Sequence, residues 1–307
     1  MSDTGPRIYS DGSSYGWTPE MDDTIIRISK STLVSTKWCA QQMWLNKNHP
    51  EVETELNSWL VIGNDVHYAL EYFYDNAKPD ELPELQARAK NGDMRLVKGA
   101  LKTWLPSTEE IMGNRDERSR AEPLYERDYN HNIQWLLAHE ASRLTHTTIE
   151  NFLPVANEVI LTPRIEIEGV PVQLVGIIDR VFLDDDGGLA LMELKTGKWD
   201  ERYKLSEMRM EMAFYKMLIE NSDLQELQEK NLDRAVTHWG WRYSAADHVS
   251  YEKCKRVSER AMMKRLGDLV KMYLEESFKM ADPNREGFKC ARCEYMQWCP
   301  QYRSGDE

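Results

Sequence analysis

Residues 176–198, GIIDRVFLDDDGGLALMELKTGK, constrain this chain more than any other stretch. GIIDRVFL and LALMELK are rich in branched apolar residues, and DDDGG between them is a turn signal, so the segment predicts a β-hairpin. The carboxylates of DDDGG read as solvated turn residues. Inside the apolar runs stand Asp179 and Glu193. Unpaired carboxylates resist desolvation, so something must compensate them, and a bound cation is the obvious candidate. Lys195 follows Glu193 by two residues, and strand alternation puts both side chains on one face. Three charged groups would then converge at the end of the hairpin. The competing reading is an ordinary strand pair with an exposed Glu193–Lys195 ion pair.

Composition limits what such a site can belong to. The 307 residues suffice for one large domain or two small ones. No apolar window reaches the length of a membrane span, and the polar N-terminus lacks a signal-peptide profile, so a soluble, cytoplasmic protein is expected. Five cysteines, an odd number with four after residue 250, do not suggest a secreted disulfide framework. A net charge of −13 argues against a general electrostatic grip on nucleic acid. A polyanionic substrate would need local basic residues, and two stretches supply them: Lys195 to Arg209, and KCKRVSERAMMKR from Lys253 to Arg265.

The first 24 residues are polar and rich in Gly, Ser and Asp, and predict a flexible arm. ISKSTLVSTKWCAQQMWL reads as a helix capped by Ser31, and NSWLVIGNDVHYALEYFYD as a second helix. Residues 80–150 read as mostly helical, an insertion or cover. NEVILTPRIEIEG, VPVQLVGIIDRVFL and LALMELK read as strands, LSEMRMEMAFYKMLIEN as a helix and AVTHWGWRYS as a further strand. SYEKCKRVSERAMMKRLGDLVKMYLEESFK reads as one long amphipathic helix. The order predicts an α/β or α+β core with a small sheet, decorated by helices.

The acidic pair suits phosphodiester hydrolysis. Mg²⁺ takes octahedral oxygen ligands, keeps several waters and often binds through one or two carboxylates. Asp179, Glu193 and the backbone carbonyl of Leu194 could form one such face, lowering the pKa of a bound water and stabilising a pentacovalent phosphate. Lys195, a compact point charge, could orient that water or neutralise developing charge.

Further motifs follow in a set order: GNDVH from Gly63 to His67, GIID from Gly176 to Asp179, ELK followed by TGK, and EMAFY from Glu211 to Tyr215. With these the chain resembles the RecB-type branch of the PD-(D/E)xK nuclease superfamily. Within that branch it is most similar to the iron–sulfur exonucleases, namely the CRISPR-associated RecB-like exonucleases and the AddB nuclease domain. The resemblance spans roughly residues 28–300, although 75–155 matches nothing specific. It implies a restriction-endonuclease-like core with a small mixed sheet, and one nuclease domain over 25–307. Residues 25–150 would be its helical part, 151–245 the catalytic core, and 246–307 the long helix and cysteine-rich end. His67 would join Asp179, Glu193 and Leu194 around the metal. Glu211 stands where the family has Gln; a Glu could pair with Lys195 but would repel phosphate. Tyr215 would support substrate or Lys195. Glu71, four residues beyond His67 on one helical face, is a candidate for fixing its tautomer, and Glu158 is a possible further acidic group.

Cys290-x₂-Cys293-x₅-Cys299-Pro supplies three thiolates, and Cys39 is the candidate fourth. The resemblance implies that these hold a four-iron–four-sulfur cluster stapling the two ends of the chain, although Ala40 stands where Pro is usual. Zinc suits four thiolates equally well. Cys254 reads as an ordinary mid-helix thiol. Trp199, directly after ELKTGK, is the candidate base contact. Lys198, Arg202, Lys204 and Arg209 could bind phosphates, or form a solvated charged face. Trp38, Trp44, Trp59, Trp239 and Trp241 read as core, and Met208, Met210, Met212 and Met217 as packing.

The resemblance thus implies a Mg²⁺- or Mn²⁺-dependent deoxyribonuclease acting exonucleolytically on single-stranded DNA ends. Its setting would be DNA repair, recombination, CRISPR adaptation or viral genome processing, with a protein partner in such a complex and no membrane. The alternatives are a catalytically silent DNA-end-binding or adaptor protein of the same fold, and a zinc-stabilised interaction module.

Overall fold

The computed structural model describes residues 25–36, 39–49, 52, 58–107, 110–111, 125–277, 290–291 and 293–300. The expected arm over 1–24 and Trp38 lie outside the described residues. The chain opens with strand β1 (Ile26–Ser29), then helices α1 (Lys30–Ser35) and α2 (Gln41–Asn48). The helix expected from Ile28 is thus shortened at its start. Ile26 and Ile28 are buried, and their backbone pairs in parallel with Val172–Val175, so the sheet claims them. The N-cap is Ser29, not Ser31: its hydroxyl accepts from the Thr32 amide at 3.1 Å.

Helix α3 (Ser58–Asp75) begins a helical cover that continues through α4 (Leu82–Lys90), α5 (Met94–Leu101), α6 (Tyr125–Arg143) and the single turn α7 (Ile149–Phe152). The segment read as one strand over NEVILTPRIEIEG is two, β2 (Ala156–Leu161) and β3 (Arg164–Ile167), separated at Thr162 and Pro163. Strand β4 (Val170–Leu183) runs fourteen residues and is the spine of the sheet. Its first half is flanked by β1 and β3. Its second half is flanked by β2 and by β5 (Leu189–Lys195), antiparallel across the expected hairpin. Helices α8 (Glu201–Asn221) and α9 (Leu224–Glu229) lead to β6 (Val236–Tyr243), parallel to β5. Strand β7 (His248–Lys253) is the antiparallel edge, and α10 (Arg256–Leu274) follows. The long helix expected from residue 250 therefore starts later. The alternating burial of His248–Lys253 lets it pair as a strand, which moves Cys254 out of a helix into the connection, where burial pushes its thiol up to about 12.

Seven strands among the described residues form a mixed α/β sheet covered on both faces. Strand β5 shows why. Leu189 and Leu191 enter a core shared with α8 and α10, while Ala190, Met192 and Leu194 enter a second core built with α3 to α6. A strand buried on both faces reads as a continuous apolar run, as LALMELK does. Met208 and Met212 are fully buried in the first core, and Met210 and Met217 pack on it. The turn after β4 also differs from expectation. Asp184 is buried, its carboxylate accepting from the Asp186 and Gly188 amides at 2.9 and 2.7 Å and from Thr237, so it anchors the turn to β6. Asp185 and Asp186 are exposed. No helix among the described residues is long and apolar enough to cross a membrane.

Candidate active site

The end of β5 and the loop after it, with α1, α3 and α8 around them, line a cleft of about 550 Å³. Alternation along β5 sends Glu193 and Lys195 to the α8 side. Glu193 is 1% exposed, and its Oε1 accepts from two ammonium groups, Lys195 at 2.6 Å and Lys30 at 2.7 Å. Lys195 also donates to Glu211 Oε2 at 3.0 Å, the pairing that a carboxylate at this position permits. Tyr215 is buried beneath this group, with the Lys30 ammonium 5.3 Å from its ring centre.

Asp179 faces the other way, toward α3. Its Oδ2 accepts from the Leu194 amide at 2.7 Å, which ties β4 to β5. His67 Nε2 lies 3.1 Å from the Leu194 carbonyl oxygen. A carbonyl only accepts, so Nε2 carries a hydrogen and Nδ1 is the nitrogen that faces the acidic pair. Nδ1 is 3.6 Å from both Glu158 Oε1 and Asp179 Oδ2.

Glu158 is the acidic residue that sequence reasoning held only loosely. Its backbone φ is +48°, in the left-handed region, within strand β2. The register on either side, with Asn157 opposite Arg180 and Val159 opposite Ile178, puts it across from Asp179. A non-glycine residue held there is strained, and its carboxylate faces His67. Ligand atoms of His67, Glu158 and Asp179 lie within 4.8 Å of one another. Arg180 backs the pair, 3.4 Å from Glu158 and 4.0 Å from Asp179.

The electrostatics follow from packing. Burial and then Glu193 raise the Asp179 carboxyl, while His67 acts in the opposite direction. Burial would also raise Glu193, but Lys195 and Lys30 outweigh it and hold this carboxylate ionised. Burial opposes protonation of His67, yet Asp179 and Glu158 raise it overall. Carboxylates with one imidazole and a backbone carbonyl are a hard, oxygen-rich donor set that suits Mg²⁺ or Mn²⁺. Glu193 Oε2 is buried with no hydrogen-bond partner, an acceptor of the kind a cation would satisfy. Residues and metal fit.

Two glycines explain motif positions. A Cβ on Gly176 would sit 2.4 Å from Leu218 Cδ1, so the GIID glycine lets α8 lie on β4. At Gly63 it would meet Thr196 Oγ1 at 3.3 Å, which keeps the α3 turn before His67 close to the loop after β5.

The other expected residues disperse. Lys198 lines the cleft, but Arg202 is 78% exposed and forms a two-point pair with Asp200. Arg209 is bound to Glu252 by two 2.7 Å contacts. Trp199 stacks on His248 at 4.2 Å and packs beside Trp241 and Tyr243. Trp239 and Trp241 are core, but Trp59 is not: it is 60% exposed in the cleft wall. Lys30 was missed, because nothing local marks a lysine 163 residues from its partner Glu193.

Cys39, Cys290, Cys293 and Cys299 are half-buried and form no disulfide among the described residues. Burial raises the Cys293 thiol, a Tyr295 backbone hydrogen bond opposes this, and the neighbouring Cys39, Cys299 and Cys290 raise it further. His49, at the end of α2, stacks on Trp298 with ring centres 4.8 Å apart.

A profile of the PD-(D/E)XK nuclease superfamily matches residues 27–300. The chain belongs to the PD-(D/E)XK nuclease superfamily. Its members are metal-dependent nucleases, and the mixed sheet with its covering helices is their fold. A comparison with curated proteins returns no match. Among solved structures, a crystal structure of SSO0001 is similar at 12% identity with a TM-score of 0.43, over 94% of this chain and 90% of that one.

Proposed function

We propose that this superfamily member is a RecB-type deoxyribonuclease that hydrolyses single-stranded DNA from its ends. The carrying observation is a buried acidic cluster of His67, Glu158 and Asp179 behind a cleft that His67 lines together with Glu193, Lys195 and Lys30. His67, Glu158 and Asp179, with Glu193 and the Leu194 carbonyl beside them, would hold Mg²⁺ or Mn²⁺. When bound, the metal supplies an activated water and stabilises charge on the phosphate. Lys195 is held by Glu193 and Glu211 at a defined position, from which it orients the water or balances negative charge on the phosphate. Tyr215 walls the site beneath the lysines, and Lys198 offers a cation to the flanking phosphates.

Cys39, Cys290, Cys293 and Cys299 would hold a four-iron–four-sulfur cluster that ties α1–α2 to the C-terminal segment. The mutual influence of the four thiols and the His49–Trp298 stack support that arrangement. One nuclease domain over 25–307 follows, with work in repair, recombination, CRISPR adaptation or viral genome processing beside a protein partner.

Incubation with 5′-labelled, 3′-labelled and circular single-stranded DNA in Mn²⁺, beside Glu193→Ala, tests the reading. Cleavage of the linear strands by wild type alone is expected, and the labels give the polarity. Intact DNA that is still bound would instead identify a silent end-binding protein. Anaerobic purification should yield brown protein with iron and sulfide in equal amounts; colourless, zinc-loaded protein would refute the cluster.

A further inference from the structure

Helix α3 carries Trp59, Gly63 and His67 at successive four-residue steps, so the three share one face. His67 reaches the acidic pair, and Gly63 leaves the wall low beside Thr196. Trp59 stands eight residues before His67, about 12 Å along the helix axis at ~1.5 Å per residue. Its side chain is 60% exposed, and Leu60 beside it is 41% exposed. A tryptophan left in water forgoes the burial that usually fixes this residue, and apolar surface at a cleft mouth commonly marks a binding site.

Its surroundings indicate the occupant. Four lysines line the same cleft: Lys30, Lys195, Lys198 and Lys204. Lys30 and Lys195 are engaged by Glu193, and Lys204 by Glu207, whereas Lys198 forms no ion pair among the described residues. On a chain of net charge −13, a flat apolar ring near an uncommitted ammonium matches a ligand of alternating anions and aromatic rings. Trp199, the aromatic that the sequence favoured, already has a face covered by His248. No ring packs on Trp59 among the described residues.

We propose that Trp59, supported by Leu60, is a stacking platform for an unpaired nucleobase of the strand whose phosphate enters the acidic site. A base within a duplex has both faces covered by its neighbours, so the platform selects single-stranded or frayed nucleic acid. This rests on the nuclease reading of the cleft and adds to it a residue that contacts the base instead of the phosphate.

The test compares wild type, Trp59→Ala and Trp59→Phe. Fluorescence anisotropy in Ca²⁺ would follow binding of a labelled twelve-nucleotide thymidine strand and of the same strand built from abasic sites. The abasic strand keeps every phosphate and offers no ring. Trp59→Ala should weaken the thymidine strand about tenfold and leave the abasic strand unchanged, with Trp59→Phe near wild type. Equal affinity of Trp59→Ala and wild type for the thymidine strand overturns the proposal, as does an equal loss on both strands. Failure of wild type to bind the thymidine strand overturns it too. Cleavage in Mn²⁺ is scored separately: wild type that discriminates bases but does not cut would sink the nuclease reading and leave the platform standing. Thermal melts of the variants confirm folding, which an exposed side chain should not disturb.

Discussion

Glu140→Gln should remove a large part of the stability of this fold. Glu140, on α6, is 1% exposed and lies between two guanidinium groups. Arg143 Nη1 donates to one carboxylate oxygen at 2.5 Å and Arg242 Nη1 to the other at 2.6 Å. Arg242 belongs to β6 and is buried, opposite Leu194 in the active-site strand. The carboxylate therefore joins the helical cover to the sheet beside the acidic site. Glutamine leaves two buried cations without their counter-charge, and breaking such a pair costs about 3–5 kcal/mol. Linkage gives a similar figure. Burial would raise this carboxyl, but Arg143 and then Arg242 overcome it and hold it at about 2, against an ordinary 4.5. That separation, at about 1.4 kcal/mol per pH unit, is roughly 3 kcal/mol. The folded-state value is depressed, so the contribution is complete above the unfolded value near 4.5 and is lost as pH falls toward 2. Urea unfolding at pH 7 should show Glu140→Gln less stable by about 3–5 kcal/mol, and the gap between the two proteins should close as pH falls from 4.5 to 2. A variant within about 1 kcal/mol of wild type at pH 7, or a gap indifferent to acid, would refute the reasoning, since surface pairs contribute no more than that.

Three further outcomes are expected. Lys30→Ala should slow single-turnover cleavage about 100-fold, the scale of losing one aligned donor, with a smaller loss of stability than Glu140→Gln because Lys195 still pairs with Glu193; an unchanged rate places Lys30 outside the reaction. Gly176→Ala should cost about 1–3 kcal/mol of stability through overpacking against Leu218, read from a urea midpoint shift, and a neutral result would mean that α8 yields freely. EDTA should abolish cleavage and Mn²⁺ restore it, while His67→Ala should raise the Mn²⁺ needed for half-maximal rate at least tenfold; an unchanged requirement would remove His67 from the metal.

The hairpin was legible because β-strand alternation and turn chemistry are local: GIIDRVFL and LALMELK became β4 and β5 with Asp179 and Glu193 buried. Local reading failed where long-range pairing competed. Ile26–Ser29 is short enough to continue a helix, but Val172–Val175 offered it a sheet edge. The strand β7 carried helical-looking charges until β6 supplied a partner. Trp59 read as core because an apolar helix usually buries its tryptophan, and no sequence pattern reports which turn of α3 ends at a cleft.

The sequence by itself determined the fold class, through the order of its motifs and elements, and the strand carboxylates with Lys195 beside Glu193, through alternation and turn chemistry within a few positions. Only the tertiary structure decided that Lys30 shares Glu193 with Lys195, that a strained Glu158 faces His67, and that Glu140 carries two arginines. Those are meetings between groups remote in the chain. Buried charges must find counter-charges wherever the packed backbone presents them, and that choice is made by the sheet and its covering helices.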